Sequence, residues 1–124
     1  MKSIELSKKF GGKIEVRSKF KLNKNNLPIL YTPGVADVCK VIAKDNKLSK
    51  KYTIRKNCVA VISDGSAVLG LGNIGPEAGL PVMEGKALLF KELGGVDAFP
   101  IVLATQDTEE IIKAVKFLEP TFGG

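Results

Sequence analysis

Two short runs of apolar, largely β-branched residues constrain the fold of this 124-residue chain most strongly. They are Val59–Ile62 and Phe99–Leu103, and neither shows the alternation of a half-exposed strand. Continuous apolar runs of this length are typical of strands buried on both faces. Helical patterns lie between and around them. Strands that alternate with helices predict an α/β domain in three layers, with a small, largely parallel sheet flanked by helices.

Capping and turn residues predict where the helices begin and end. A first helix begins at Thr32-Pro33, where Thr can cap it and Pro fits the first position, and it ends near Asp45-Asn46. Asp107 and Glu110 have the spacing of a capping box ahead of the last helix.

Between the two apolar runs, the sequence predicts a further short strand and two helices. Ala67–Leu71 is a further short strand candidate. Pro76 and Pro81 predict a short helix followed by a new one, because proline disfavours a helix interior. The new helix runs from Pro81 to Leu93 and ends at Gly94-Gly95, since glycine readily takes the left-handed conformation that ends helices.

Charge divides the chain into two unlike halves. Residues 1–58 carry 15 basic and 4 acidic side chains, whereas residues 59–124 carry 4 and 9. Residues 1–28 are expected to form a basic arm or short hairpin ahead of a domain over residues 29–124. Nucleic-acid binding is disfavoured because no binding motif is present, and a solvated lysine-rich surface explains the charge more simply. The opposite charges also allow a second copy to bind as a homodimer, or an anionic substrate to be attracted.

The residue types present exclude several classes of site. The chain has no histidine, which excludes Ser-His and Cys-His nucleophilic systems, so acid–base chemistry must fall to Lys, Tyr, Asp or Glu. Its two cysteines, Cys39 and Cys58, match neither a disulfide scaffold nor a zinc pattern, which favours a reducing cytoplasm. We expect no membrane span and no signal peptide.

Residues 70–75 read Gly-Leu-Gly-Asn-Ile-Gly, a literal GxGxxG. This pattern can bind a dinucleotide, with Asp97 at about the distance of a ribose carboxylate. The prolines that follow disturb the required helix, so glycines that permit tight turns are the preferred explanation. Asp64, at a strand end, is interpreted as a turn residue, and the acidic residues at 107–110 as helix caps.

Lys86 and Tyr31 are the candidate acid–base residues. On a helix from Pro81, the neighbours of Lys86 at three- and four-residue spacing are all apolar: Val82, Met83, Leu89 and Phe90. An ammonium group there is partly desolvated, which favours the neutral amine of a general base. The alternative is that the lysine stem covers apolar surface while its amine reaches water. Tyr31 precedes a helix start and could donate a proton, or it could be an ordinary loop tyrosine.

Three longer sequence motifs, which follow one another along the chain, are more specific than these single residues. They are Tyr31–Ala36 (YTPGVA), Ser63–Gly75 (SDGSAVLGLGNIG) and Pro81–Lys91 (PVMEGKALLFK), and Gly94–Pro100 (GGVDAFP) continues the pattern. With them the chain resembles malic enzymes of the bacterial type over roughly residues 13–124.

The resemblance implies an activity, the oxidative decarboxylation of (S)-malate to pyruvate and carbon dioxide with NAD or NADP and with Mg²⁺ or Mn²⁺. It also implies roles: Tyr31 as general acid, Lys86 as general base and substrate contact, and Gly72 and Asn73 on the substrate side of the pocket. By the same resemblance the metal ligands and the cofactor domain follow Gly124. Family members from eukaryotes have a carboxylate-binding arginine where this chain has Ala67-Val68.

Taken together, the sequence predicts the N-terminal substrate domain of a malic enzyme, inactive alone, with no cofactor or metal bound by this chain itself. The alternative is a non-catalytic module that mainly makes a dimer contact.

Overall fold

The computed structural model describes residues 1–124, which form six α-helices and two β-strands. In chain order the elements are α1 (Lys2–Phe10), α2 (Leu27–Leu30), α3 (Val35–Lys44), α4 (Ser49–Tyr52), β1 (Cys58–Ser63), α5 (Pro76–Gly94), β2 (Asp97–Val102) and α6 (Thr108–Leu118). Short 3-10 turns lie at Asn46–Leu48, Ile54–Lys56 and Glu119–Thr121. No helix is both long and apolar enough to cross a membrane.

The sheet consists of β1 and β2, which pair in parallel from Cys58↔Asp97 to Ser63↔Val102. The helix α5 connects the two strands and packs against both of them. This confirms the predicted α/β class with a parallel sheet flanked by helices. The two C-terminal residues lie at the other edge of β1, where the Gly123 amide donates to the Cys58 carbonyl at 2.8 Å.

The expectation of a further strand at Ala67–Leu71 was wrong. This run lies in a turn, with only an isolated antiparallel bridge between Val68 and Gly72. Gly70 and Gly72 have φ values of +78° and +74°, a left-handed conformation that turns the chain back on itself. Neither glycine can continue an extended strand in that conformation.

The prediction of two helices separated at Pro81 was also wrong, because α5 is one helix with Pro81 in its interior. Its buried residues are Gly79, Met83 and Ala87. They recur every four residues on both sides of the proline, so one helix face is buried from Gly79 to Ala87. Packing of that face compensates for the hydrogen bond that Pro81 cannot donate. The predicted end of the helix is confirmed, since Gly95 adopts φ +66°.

The other predicted helix ends were partly correct. The helix α3 ends at Lys44 as expected, but it begins at Val35, and Thr32 does not cap it. Asp107 caps α6, because its Oδ2 accepts the Glu110 amide at 3.0 Å. The second half of the capping box is absent, since the Glu110 carboxylate instead accepts a hydrogen bond from the Thr105 hydroxyl at 3.0 Å.

Residues before Val35 form a loosely attached segment. The structure shows the helix α1, an irregular stretch and α2, so the hairpin alternative for residues 1–28 was wrong. The amide of Lys13 donates to Glu84 Oε2 on α5 at 2.7 Å and attaches this segment to the core. The domain boundary at residue 28 stays a prediction, and α2 spans it.

The buried side chains belong almost entirely to the β1–α5–β2 unit. Only six residues are buried: Cys58, Gly65, Gly79, Met83, Ala87 and Ala98. Many large apolar side chains elsewhere are exposed, among them Phe10, Phe20, Ile29, Leu69, Leu93 and Phe117. Where such side chains gather into one patch, they mark a face that binds another protein surface.

Arg55 connects the segment before β1 to the end of the chain. Its side chain is 12% exposed and forms an ion pair with Glu119. Its Nε donates to the Phe122 carbonyl at 3.0 Å, and its Nη1 donates to Ser49 Oγ at 2.9 Å. One guanidinium therefore binds three residues and joins two chain segments beside the sheet, and its planar fork of donors suits that task.

We predict that Asp97→Asn destabilises the fold in a pH-dependent way. Asp97 accepts hydrogen bonds from Lys91 Nζ at 2.7 Å and from Asn57 Nδ2 at 3.2 Å. The Lys91 hydrogen bond lowers the pKa of Asp97 from its usual 3.8. The stabilisation is therefore complete above the unfolded pKa and is lost as the pH falls through the lower folded pKa.

The pair is about half exposed, so a loss of about 0.5 kcal/mol in the free energy of unfolding is expected at pH 7. Urea denaturation of both proteins from pH 7 to pH 2.5 measures it. The difference between them should shrink as the pH falls below about 4. A difference that stays constant over this range would contradict the explanation.

Candidate active site

The carboxyl end of β1 leads into a loop of residues 64–75, here called the Gly-rich loop. Its two ends meet at Gly65, whose carbonyl accepts the amides of Ile74 at 3.1 Å and Gly75 at 3.2 Å. Gly65 has φ +72°, and a Cβ there would lie 1.8 Å from the Gly75 carbonyl oxygen. Only glycine allows this contact. The contact holds the loop beside the start of α5, at the edge of the sheet where α/β proteins bind ligands.

Gly72 and Asn73, two of the predicted substrate-side residues, lie together near the end of this loop. Both are exposed. The side-chain amide of Asn73 pairs with that of Gln106, which follows β2. Gln106 was not identified from the sequence. The available signal was a polar residue shortly after an apolar strand, since such residues lie at the same edge of a parallel sheet as the loop after β1.

Asp64, which follows β1, behaves as the turn residue that was expected. Its Oδ1 accepts the Ser66 amide at 2.9 Å. Hydrogen bonds from the Ser66 side chain and backbone lower the pKa of the Asp64 carboxyl. The carboxylate therefore stabilises the turn at the start of the Gly-rich loop.

The dinucleotide interpretation of residues 70–75 does not fit the structure. Asp97 is the first residue of β2, so it lies at the amino end of the strand, whereas the Gly-rich loop follows the carboxyl end of β1. Its carboxylate is already bound by Lys91 and Asn57. A ribose-binding carboxylate would have to lie at the edge that holds the pyrophosphate.

The structure also offers no metal centre, since no three His, Cys, Asp or Glu side chains lie close enough to hold an ion together. A divalent cation such as Mg²⁺ or Mn²⁺ needs a set of oxygen ligands, carboxylates above all. The residues of this chain therefore offer no set of ligands for such an ion.

Tyr31 lies in a tight turn between α2 and α3. Its amide donates to the Leu27 carbonyl at 2.9 Å, and its carbonyl accepts the Val35 amide at 2.7 Å. A Cβ on Gly34 would lie 2.5 Å from the Ile29 carbonyl oxygen, so glycine is required for the two helices to approach. The backbone of the turn is fixed, while the Tyr31 side chain is 65% exposed and free to contact a ligand.

Lys86 lies on α5 with its side chain exposed. Of its four apolar neighbours only Met83 is buried, and Val82, Leu89 and Phe90 are 43%, 57% and 44% exposed. The sequence left a desolvated amine and an amine in water as alternatives, and within one chain Lys86 is exposed. The buried face of α5 is the neighbouring one that carries Met83 and Ala87.

The predicted site residues lie on separate elements of this chain. Lys86 is ten residues from the start of α5, about 15 Å along the helix axis from the Gly-rich loop. The turn with Tyr31 packs on α2 and α3, which share at most marginal contact with α5. A cavity of about 630 Å³ is lined by α1, the loop after it and Leu88 of α5, and one of about 200 Å³ is lined by β1, α6 and the C-terminal residues. Neither Tyr31 nor Lys86 lines these two cavities.

Comparison with known proteins relates these features to one family. Residues 11–121 match the family described as malic enzyme, N-terminal domain. The NAD-dependent malic enzyme of Geobacillus stearothermophilus is 61% identical over 115 residues, 92% of this chain and 24% of that protein. The NADP-dependent malic enzyme of Escherichia coli is 53% identical over 91% of this chain and 15% of that protein.

Solved structures show the same relationship. The NAD-dependent malic enzyme of Thermotoga maritima superposes with a TM-score of 0.95 at 54% identity, over 98% of this chain and 35% of that one. The chain thus spans between about a seventh and about a third of the length of these relatives.

We predict a graded response to alanine at three glycines. Gly65→Ala combines a left-handed φ with a clash against backbone and should cost about 3 kcal/mol or more. Gly70→Ala has φ +78° but open space around its Cβ, and should cost about 1 kcal/mol. Gly85→Ala, in the helix with open space, is the control and should gain about 0.5 kcal/mol.

The free energy of unfolding in urea measures all three variants. Equal stability of the first two would show that the contact between Gly65 and Gly75 does not constrain the loop.

Proposed function

Because the chain belongs to the malic enzyme family, as its N-terminal domain, we propose that it supplies the acid and the base that oxidatively decarboxylate (S)-malate to pyruvate and carbon dioxide. The observation that carries this proposal is the match over residues 11–121, which contains both the YTPGVA string and the MEGK string. The relatives named above are NAD- and NADP-dependent malic enzymes, which supports NAD or NADP as the oxidant.

Lys86 is the proposed general base and Tyr31 the proposed general acid. The neutral amine of Lys86 accepts the proton of the substrate hydroxyl as that carbon is oxidised to a carbonyl. Loss of carbon dioxide leaves an enolate, and the Tyr31 phenol protonates its carbon to give pyruvate. Lysine amines and tyrosine phenols can both transfer protons in this way. The chain contains no histidine that could do so instead.

The oxidant and the metal are not held by this chain in the proposal. The structure offers no acidic cluster for Mg²⁺ or Mn²⁺, and Asp97 lies at the wrong edge for a dinucleotide. Both groups are therefore expected from residues outside the 124 described here.

We also propose that two copies associate as a homodimer and that Tyr31 and Lys86 meet across their interface. Three observations support this. The elements that carry the two residues share at most marginal contact within one chain. Apolar side chains are exposed beside both of them, including Ile29 and Leu89. The two halves of the chain carry opposite net charge.

A chimera tests the catalytic roles. This chain replaces the matching residues of the Geobacillus stearothermophilus enzyme, and malate-dependent reduction of NAD is followed by absorbance. Lys86→Ala should lower kcat by about 10²–10⁴-fold, the usual contribution of a general base. Lys116→Ala, an exposed helical lysine, is the control. A near-normal rate for Lys86→Ala would exclude it as the base.

Tyr31→Phe should act on a different step in the same chimera. It removes the phenol that exchanges a proton with the substrate carbon, so exchange of the pyruvate methyl protons with D₂O should slow by about 10²-fold or more. Tyr52→Phe, 49% exposed, is the matched control. Equal exchange rates in the two variants, measured by NMR, would remove the role given to Tyr31.

Sedimentation of the chain at low and high salt tests the dimer. We expect a dimer that weakens as salt screens the charge attraction. A monomer at every concentration and salt level would contradict the proposed interface.

A further inference from the structure

The amide side chains of Asn73 and Gln106 form a reciprocal pair. Asn73 Nδ2 donates to Gln106 Oε1 at 2.9 Å, and Gln106 Nε2 donates to Asn73 Oδ1 at 2.9 Å. Two antiparallel hydrogen bonds fix both amides in one plane, which a single bond would not do. The pair joins the loop after β1 to the loop after β2, at the edge of the sheet where their carboxyl ends lie.

Gln106 belongs to a well-fixed segment. The hydroxyl of Thr105 accepts the Asp107 amide at 3.2 Å and donates to Glu110 Oε1 at 3.0 Å. Asp107 in turn caps α6 through the Glu110 amide at 3.0 Å. The residues on both sides of Gln106 are thus bound to the first turn of a helix, so its side chain starts from a defined position.

Asn73 belongs to a poorly fixed segment. The backbone hydrogen bonds that hold the Gly-rich loop lie at its base, where Ile74 and Gly75 donate to Gly65. Residues 66–73 make no backbone hydrogen bond outside the loop. The only side-chain hydrogen bonds from residues 67–75 to the rest of the chain are those of Asn73 with Gln106. Since Gly70 and Gly72 add backbone freedom, the pair with Gln106 is the side-chain anchor of the outer part of the loop, in addition to the backbone closure at Gly65.

We infer that Gln106 is a positioning residue that orders the Gly-rich loop and orients the Asn73 amide toward a carboxylate of the substrate. The inference rests on the proposed function for its ligand, a small dicarboxylate. Each amide in the pair uses one N–H and one oxygen lone pair, so Asn73 keeps one N–H to donate to a carboxylate oxygen. Gln106 itself need not touch the substrate.

NMR of the ¹⁵N-labelled chain tests the effect on the loop. Gln106→Ala should lower the order parameters of residues 70–73 from about 0.85 to below about 0.6. Asn25→Ala, which removes an exposed amide that makes no side-chain hydrogen bond, is the control and should change nothing. Unchanged order parameters in Gln106→Ala would overturn the inference.

An exchange of the two amides separates positioning from a general loss of structure. Gln106→Asn shortens the side chain by one methylene and should behave like Gln106→Ala. Adding Asn73→Gln restores the combined length and should restore order at residues 70–73. Failure of this double variant to recover order would show that the reciprocal pair is not the cause.

Titration of malate into the chimera described above, with and without Gln106→Ala, tests the role in binding. Loss of the oriented amide should raise the dissociation constant about 3- to 10-fold in Gln106→Ala, the range expected for one hydrogen bond. Disordered residues 70–73 with unchanged malate affinity would overturn the positioning role. Failure of the proposed function is recognised separately: Lys86→Ala would then leave the chimera with a near-normal rate, whereas order at residues 70–73 tests the contact between Gln106 and Asn73 by itself.

Discussion

The contact between Gly65 and Gly75 is the constraint on which the arrangement of the domain depends. It closes the Gly-rich loop by direct contact between two backbone segments. A Cβ at Gly65 would overlap the Gly75 carbonyl, so no side chain fits between them. The closure brings α5 back toward the sheet directly after the loop, and a Cβ at Gly79 would lie 3.4 Å from the Gly65 Cα. Gly79, Met83 and Ala87 then form the buried face of α5. Lys86 is placed beside that face and reaches solvent.

The sequence predicted those parts of the fold that depend on local chemistry. The apolar runs gave both strands, Asp107 gave the start of α6, and Gly94-Gly95 gave the end of α5. It did not predict that α5 continues through Pro81, because the face of small and apolar residues that sustains it is defined only by packing on β1 and β2. The sequence also led to the wrong prediction of a strand at Ala67–Leu71. Its apolar pattern is that of a short strand, whereas the left-handed glycines determine the turn that is observed.

The residues of the candidate site were predicted less completely from the sequence than the helices and strands were. Local chemistry left Tyr31 and Lys86 ambiguous, and the resemblance of whole strings gave them roles that remain proposals. Gln106 was missed because its significance is a contact with Asn73, 33 residues away in sequence, that no local pattern encodes. Periodicity placed apolar neighbours around Lys86 correctly, but it could not show that most of them are exposed within one chain.

The exposure of these neighbours links assembly to chemistry. Val82, Leu89 and Phe90 exclude little water from the surroundings of Lys86 while they face solvent themselves. If the surface of a second copy covers them, the same contact desolvates the amine of Lys86 and can bring the Tyr31 phenol of the other copy to it. The base would then become effective only where its acid partner is present. A domain that buries six residues and leaves its apolar side chains beside the candidate acid and base is consistent with a site completed by association.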